Sequence, residues 1–446
     1  MTFALSLLLT VQPVPADTVD LASLRAAAEA RDPRAVQPEI YERAARLRIE
    51  ALGTERLPQL ALTGQASVQS DVPQIPVSLP DGSSPSPPNE QARAQVEADW
   101  AVLDGGRVDL RQDLERARLA EQTTGVAVAL YPLREATTEA YFGALLAGSQ
   151  AATLRLAEED VAVRLALLRS RVAEGAALAA DADRVEAEWL RLGQRVAEAE
   201  AQRRAALAVL SDLTGLAFGP DVALRLPELD ALVAEGADRG AVLDEEDLAD
   251  ALALGGRPEF ARFEATQRRA EAEARLAGAA TRPTVSVFGQ AGVGRPSPFD
   301  FLADEVQEYA LVGVRVRWAP VDWGRSRREA EAARLQAVAA RTEADALARR
   351  LRRDVADDLA DITRLDDALP VDDRVVALRE EALRVAGRQL DEGVLLPDAY
   401  TDRLTDLAEA RLVRARHRVE RVRAQGRLLS TLGLFPDADA PQPFDR

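Results

Sequence analysis

The chain has 446 residues, with 74 Asp and Glu against 56 basic residues, every one of them arginine, and a formal net charge of −18. Such an acidic balance excludes nucleic acid as a partner, because phosphate binding needs a basic surface. With no cysteine and a single histidine, His417, the chain also excludes thiol catalysis, disulfides, Cys/His metal sites and lipidation on a cysteine.

The first residues read "MTFALSLLLTVQPVPADTVD". Residues 3–11 are apolar and Val14-Pro15-Ala16 puts small residues before a cleavage point, so residues 1–16 fit a signal peptide. The basic n-region is missing, which leaves open a start further upstream and a plain apolar terminus. No other stretch approaches the 18 or more apolar residues of a membrane helix.

From residue 17 the chain follows one plan twice. Residues 17–215 read as helix, strands at about 58–70 and 92–103, long helix, turn at about 173–181 and helix. Residues 216–245 connect. Residues 246–434 repeat the order, with strands at about 283–293 and 309–321 and a turn at about 391–398. A tail, 435–446, follows. Pro33 aligns with Pro258 and Pro58 with Pro283 at an offset of 225, whereas Trp100/Trp318, Gly175/Gly393 and Gly215/Gly433 stand 218 apart. The step of seven falls in a Pro- and Ser-rich loop at residues 71–90.

Each strand alternates. Leu60, Leu62, Gly64, Ala66 and Val68 interleave with Thr63, Gln65 and Ser67; Ala94, Val96, Ala98 and Trp100 interleave with Arg93, Glu97 and Asp99. Val285, Val287, Gly289 and Ala291 interleave with Ser286, Phe288 and Gln290; Val312, Val314, Val316 and Trp318 interleave with Arg315 and Arg317. A run of about ten residues is what a tilted strand needs to cross a bilayer, although a sandwich strand alternates too.

The helices are rich in Ala, Leu, Glu and Arg, all good helix formers. Val185, Trp189, Leu192, Val196, Ala199, Ala206, Leu210 and Leu213 make a coiled-coil stripe broken by Arg203. The segments from 105 to about 172 and from 324 to about 390 would each span roughly 100 Å. Kinks are expected at Pro132 and Pro370.

The phrases "VEADWAVLDGGR" (96–107) and "VRVRWAPVDWGR" (314–325) agree at six of twelve positions. Asp104 and Asp322 are suited to cap the following helix, Gly106 and Gly324 to free the turn, and Arg107 and Arg325 to begin the helix. Trp100 and Trp318 suit a membrane–water girdle, or equally a packed core at a strand end. Four strands leave edges that lipid cannot satisfy and are too few to close a barrel, so the chain must share one with copies of itself.

This duplicated series, with its Pro-led strands, its strand–"DGGR"–helix corner and its "EG…D" turns before helices ending in "LTGL" or "LGL", resembles the TolC-type outer-membrane efflux protein family. The resemblance implies an α+β, mainly helical fold with an internal two-fold repeat. Each protomer would supply four membrane strands and a long antiparallel coiled coil. A homotrimer would close a 12-stranded β-barrel in outer-membrane lipid and a 12-helix α-barrel reaching into the periplasm, with an equatorial belt formed partly by residues 216–250. It implies an exit duct fed by a periplasmic adaptor and an inner-membrane transporter. Arg93, Glu97, Asp99, Arg315 and Arg317 would then line a wet lumen, and the loops at 71–90 and 294–308 would face outside.

By the same resemblance the turns near Gly175 and Gly393 meet the adaptor and the carboxylates beyond them gate the pore. Asp402 falls where the family often has an acidic gate residue, with Asp181 and Asp398 as further candidates. The family's Val-Gly-Leu turn is absent: Glu174-Gly175-Ala176 and Glu392-Gly393-Val394 keep only the glycine. Helix capping is the competing role for Asp181 and Asp398. The chief alternative is a soluble periplasmic coiled-coil scaffold or adaptor. No cofactor, metal or catalytic motif stands out. The acidic pairs Glu158-Glu159 and Asp357-Asp358 read as solvated helix faces, and His417 as a surface residue in a charged helix.

Overall fold

The computed structural model describes residues 20–72, 86–234, 257–300, 302 and 304–434. The expected signal peptide, the middle of the 71–90 loop, part of the connecting segment and the tail lie outside the described residues. In chain order the elements are α1 (Leu21–Arg31), a 3-10 turn (Pro33–Val36), α2 (Gln37–Thr54), β1 (Gln59–Val68), β2 (Glu90–Leu103), α3 (Arg107–Ala173), α4 (Ala179–Thr214), α5 (Pro258–Gly278), a 3-10 turn (Ala279–Thr281), β3 (Thr284–Arg295), β4 (Gln307–Arg317), α6 (Arg325–Asp391) and α7 (Pro397–Thr431). They divide into a strand unit, residues 38–124 and 262–343, and a helical unit made of the rest.

In the strand unit the sheet runs β1-β2-β3-β4, antiparallel throughout. Leu62 stands opposite Val96, Val96 opposite Ala291 and Ala291 opposite Ala310, so one row crosses all four strands with only apolar side chains. Because side chains alternate with period two, this register sorts the whole sheet. Leu60, Leu62, Val96, Trp100, Val287, Val312 and Val314 share one face; Thr63, Gln65, Arg93, Glu97, Asp99 and Arg315 share the other.

β4 stops at Arg317, four residues short of expectation. Pro320 offers no N–H to a ladder and restricts Ala319 before it, so Trp318 lies beyond the strand end. β2 begins at Glu90, slightly early, because Glu90 still finds Val68 across the ladder.

The helical unit buries side chains in three clusters. Leu154, Val161, Leu165 and Leu168 of α3 meet Val185, Leu192 and Val196 of α4 and Leu404 and Ala408 of α7. Tyr141 and Phe142 of α3 pack with Leu21 and Leu24 of α1, Leu210 of α4 and Leu429 of α7. Leu351, Val355 and Ile362 of α6 meet Ala424 and Leu428 of α7. Past Arg203 the α4 stripe differs from expectation: Leu207 and Thr214 are buried, one position after Ala206 and Leu213. The Arg203 guanidinium turns out of the stripe and donates to the carbonyls of Pro220 (2.8 Å) and Val222 (2.6 Å). The stripe therefore steps four and four, 199–203–207, and drifts by one residue. The segment after α4 lies over this core: Leu229 is buried and the Tyr141 hydroxyl donates to Arg225 O at 2.5 Å. Burial pushes the Tyr141 phenol up to about 12. Both 67-residue helices continue through Pro132 and Pro370.

Asp357-Asp358 is not a solvated pair throughout. Asp358 is 8% exposed, paired with Arg427 at 3.1 Å and near the Thr431 hydroxyl at 3.4 Å. Burial raises its carboxyl to about 6, against the pull of Arg427. A raised acid favours folding while protonated, and that contribution is lost as pH rises from about 4 through about 6. Asp358→Asn is therefore expected to melt higher than wild type above pH 7, by about 1–3 kcal/mol, with the gap closing towards pH 4. Parallel thermal melts at the two pH values check the sign. Arg427 keeps Asp361 as a partner at 2.9 Å in the variant, which limits the loss.

Candidate functional site

The polar face of the sheet carries three hydrogen-bonded groups. Thr63 Oγ1 donates to Glu97 Oε1 at 3.0 Å, the Gln95 amide donates to Glu97, and the Tyr309 hydroxyl donates to Gln95. Arg93 Nε donates to Gln65 Oε1 at 3.1 Å. Arg315 Nη1 lies 3.2 Å from Asp99 Oδ2, and its guanidinium carbon sits 4.6 Å from the Phe288 ring centroid. Gln95 and Tyr309 are buried, meeting across Gly292, which stands between them in the register and has no side chain. Among the described residues nothing covers the apolar face: Leu62 is 82% and Val312 78% exposed. A water-soluble sheet hides its apolar side; this one leaves it open.

Each strand pair enters its long helix through a corner. Asp104 accepts from the N–H groups of Gly106 (2.8 Å) and Val108 (2.7 Å); Asp322 accepts from Gly324 (2.9 Å) and Ser326 (2.8 Å). These are first-turn donors that would otherwise go unpaired. Burial opposes ionisation of Asp104, but the two N–H donors outweigh it and its pKa falls; the Ser326 and Gly324 donors do the same for Asp322. Gly106 and Gly324 both have φ 76°, in the left-handed region. Arg107 reaches back to the carbonyls of Ala280 (2.6 Å) and Ala279 (3.4 Å), whereas Arg325 pairs along its own helix with Glu329 (2.8 Å). The Trp100 indole donates to Arg56 O at 2.9 Å, and Trp318 is 63% exposed.

In the helical unit α3 ends at Gly175 (φ 72°) and α6 at Gly393 (φ 73°) in the same way. Gly175 N–H donates to Val172 O and Ala176 N–H to Arg171 O; Gly393 donates to Leu390 O and Val394 to Gln389 O. This left-handed stop requires glycine for the helix end itself. A Cβ at either glycine would find nothing within 4 Å, so both turns are open surface. Of the carboxylates beyond them, Asp402 is exposed and Asp181 half-buried in the first turn of α4. Asp398 accepts from the Ala399 N–H (2.8 Å) and from Arg184 Nη1 (3.2 Å). The residues at the N-caps are Leu178 and Leu396, neither with a side-chain cap.

Sequence reasoning missed Arg184, which ties the second turn of α4 to the first turn of α7 beside Glu188–Thr405 (3.1 Å). The signal was present, because at the 218-residue offset Arg184 is the counterpart of Asp402. It also misread His417: Nδ1 lies 2.6 Å from Asp372 Oδ2, with both side chains largely covered. Among the described residues no cluster of His, Asp or Glu could hold a metal ion.

No described helix is long and apolar enough to cross a membrane, whereas the sheet carries an open apolar face of spanning length. The fold is thus a four-stranded antiparallel sheet joined in sequence to long helices. Residues 251–434 match the family model described as "Outer membrane efflux protein". No curated protein matches the chain. Among solved structures, a membrane protein from Pseudomonas aeruginosa is 19% identical with a TM-score of 0.66, covering 93% of this chain and 91% of its own. CusC is 16% identical with a TM-score of 0.66, covering 95% of each chain. The outer membrane protein VceC of Vibrio cholerae is 15% identical with a TM-score of 0.64, covering 93% of this chain and 96% of its own. The resemblance to TolC-type outer-membrane efflux proteins therefore stands, over the second half by family model and over nine-tenths of the chain by fold.

Proposed function

We propose that the chain is the outer-membrane exit duct of a tripartite efflux or type I secretion system. Three copies join their sheets into a twelve-stranded barrel, and their helices into a twelve-helix tube that extends into the periplasm. The duct is passive; a periplasmic adaptor and an inner-membrane pump deliver the cargo. The observation that supports this reading is the sheet itself, with an uncovered apolar face, a hydrogen-bonded polar face and, among the described residues, unpaired edges at β1 and β4. Lipid satisfies the apolar face but not the edges, and pairing with further copies removes the edges. Purified protein in a planar bilayer is expected to give discrete ion-conducting steps. A protein that conducts nothing and leaves membranes in high salt would instead be the soluble scaffold.

The internal duplication gives this assembly near six-fold regularity, with Gly175 and Gly393 presenting alternating open turns to the adaptor. Asp402 and Arg184, equivalent by position, alternate around the narrow end, with Asp181 and Asp398 beside them. Rings of carboxylate hold cations. Asp402→Ala is expected to change conductance or weaken its block by divalent cations in single-channel recording. An unchanged trace removes Asp402 from the gate.

A further inference from the structure

The polar face of the sheet sorts its charges by depth. Asp99 lies at the end nearest the helices, opposite Gln59, and is answered by Arg315. Glu97 comes next, held by the neutral side chains of Thr63 and Gln95. Arg93 stands furthest out, four residues beyond Glu97 on the same face and roughly 13 Å along the strand. Its guanidinium donates from Nε (3.1 Å) and Nη2 (2.5 Å) to one neutral acceptor, Gln65 Oε1. Among the described residues no carboxylate pairs with it.

A turn folds back beside this arginine. Gly294 stands opposite Arg93 in the ladder, and a Cβ on Gly294 would lie 2.9 Å from Pro296 O and 3.7 Å from Arg93 Cβ. A glycine is what lets residues 296–298 come so close to this face. Pro296 and Pro298 fix the backbone on either side of Ser297, which is 2% exposed, and the Asp300 N–H donates to Ser297 O at 3.2 Å. Between this turn and the outer ends of β1 and β2 lies a cavity of about 410 Å³. Gln65, Ser67, Gln69 and Gln91 line it with Arg93 and Ser297. Arg295 borders it too, but its charge is met by Asp304 at 2.8 Å. Among the described residues no acidic and no aromatic side chain lines the cavity, in a chain with 74 Asp and Glu.

We propose that this cavity binds an anionic, hydroxyl-bearing solute of sugar size, a sugar phosphate being the simplest example. A guanidinium has five N–H donors, so Arg93 keeps donors beyond those given to Gln65, and its planar fork fits a phosphate. The amides of Gln69 and Gln91 and the hydroxyl of Ser67 both donate and accept, as sugar hydroxyls require. An organic cation would need a carboxylate or an aromatic face, and the lining offers neither. The volume falls in the range of roughly 300–1,000 Å³ that small-ligand sites occupy. The site is built within one chain's sheet and does not rest on the shared barrel. On the duct reading it stands at the outer end of the lumen side, turned away from lipid, so its ligand is a free solute and not a lipid headgroup.

Isothermal titration calorimetry on the purified protein in detergent tests this with glucose 6-phosphate, glucose and inorganic phosphate. Glucose 6-phosphate is expected to bind about tenfold more tightly than either of the others, and to weaken as salt is raised. Arg93→Gln should weaken it about tenfold. Gln65→Glu keeps the arginine but gives it a carboxylate, so the sheet retains its cross-strand contact while the sugar phosphate is lost to a similar extent. Arg315→Gln, deeper on the same face and already paired with Asp99, should bind as wild type. No binding of glucose 6-phosphate, equal binding of glucose, or wild-type binding by both Arg93→Gln and Gln65→Glu overturns the site. Displacement of glucose 6-phosphate by lipid A in mixed micelles overturns the assignment to a free solute. A protein that binds the sugar phosphate but conducts no ions keeps this site and loses the duct; conduction without binding does the reverse.

Discussion

Leu62→Arg is expected to cost about 2–4 kcal/mol of stability in a bilayer, with Thr63→Arg close to neutral, within about 0.5 kcal/mol. The two positions are adjacent and both lie on β1, so strand propensity and chain position do not separate them. What separates them is the face. Leu62 belongs to the row Val96, Ala291 and Ala310, and its charge would be set in hydrocarbon; Thr63 points into the network around Glu97, where a guanidinium finds a carboxylate and water. Denaturant titration of protein folded into lipid vesicles measures both. Equal costs would mean that the apolar face does not lie in lipid, and the barrel reading would lose its main support. In aqueous solution the difference closes, since replacing an exposed leucine there costs little.

Gly292→Ala is expected to abolish assembly. The added methyl would sit 2.3 Å from Ala94 O and 2.7 Å from Gln95 Cα, both of the neighbouring strand's backbone. No rotamer relieves a Cβ clash against main chain, so β2 and β3 must part or shift register. Their pairing is the joint between the two halves of the sheet. Gly289→Ala, three residues earlier, meets Leu311 O at an ordinary 3.7 Å and should behave as wild type. Recovery of heat-resistant oligomer in the outer-membrane fraction distinguishes them; normal recovery of the Gly292 variant would show that the strands are further apart than described.

The features legible in the sequence are those with local causes. Alternation in Leu60–Val68 and Val312–Val316 follows from the pleat, and the Asp104 and Asp322 caps follow from the unpaired N–H groups at any helix start. Gly175 and Gly393 were visible because a left-handed helix stop accepts little else. The features that stayed hidden depend on distant partners. Asp372 covers His417 from 45 residues away, and Arg427 reaches Asp358 across two helices. The drift of the α4 stripe needed the carbonyls that Arg203 finds after the helix ends. Tyr309 and Gln95 became buried by meeting across Gly292 of the strand between them, which no single strand encodes. Trp323 was readable as a substitution for glycine, but its left-handed backbone and its exposure required coordinates.

The central pairing of the sheet has a consequence for biosynthesis. Ala92 lies opposite Arg295, so about 200 residues must leave the ribosome before β2 meets β3, and closing a loop of that length is slow. The helical hairpin of α3 and α4 is complete long before then. Until the second half arrives, β1 and β2 can only travel as an unfinished ribbon. Their alternating pattern then acts as camouflage: no stretch is greasy enough to be seized as a helix on the way to its destination, and the water-shunning side comes into being only when the last pieces meet.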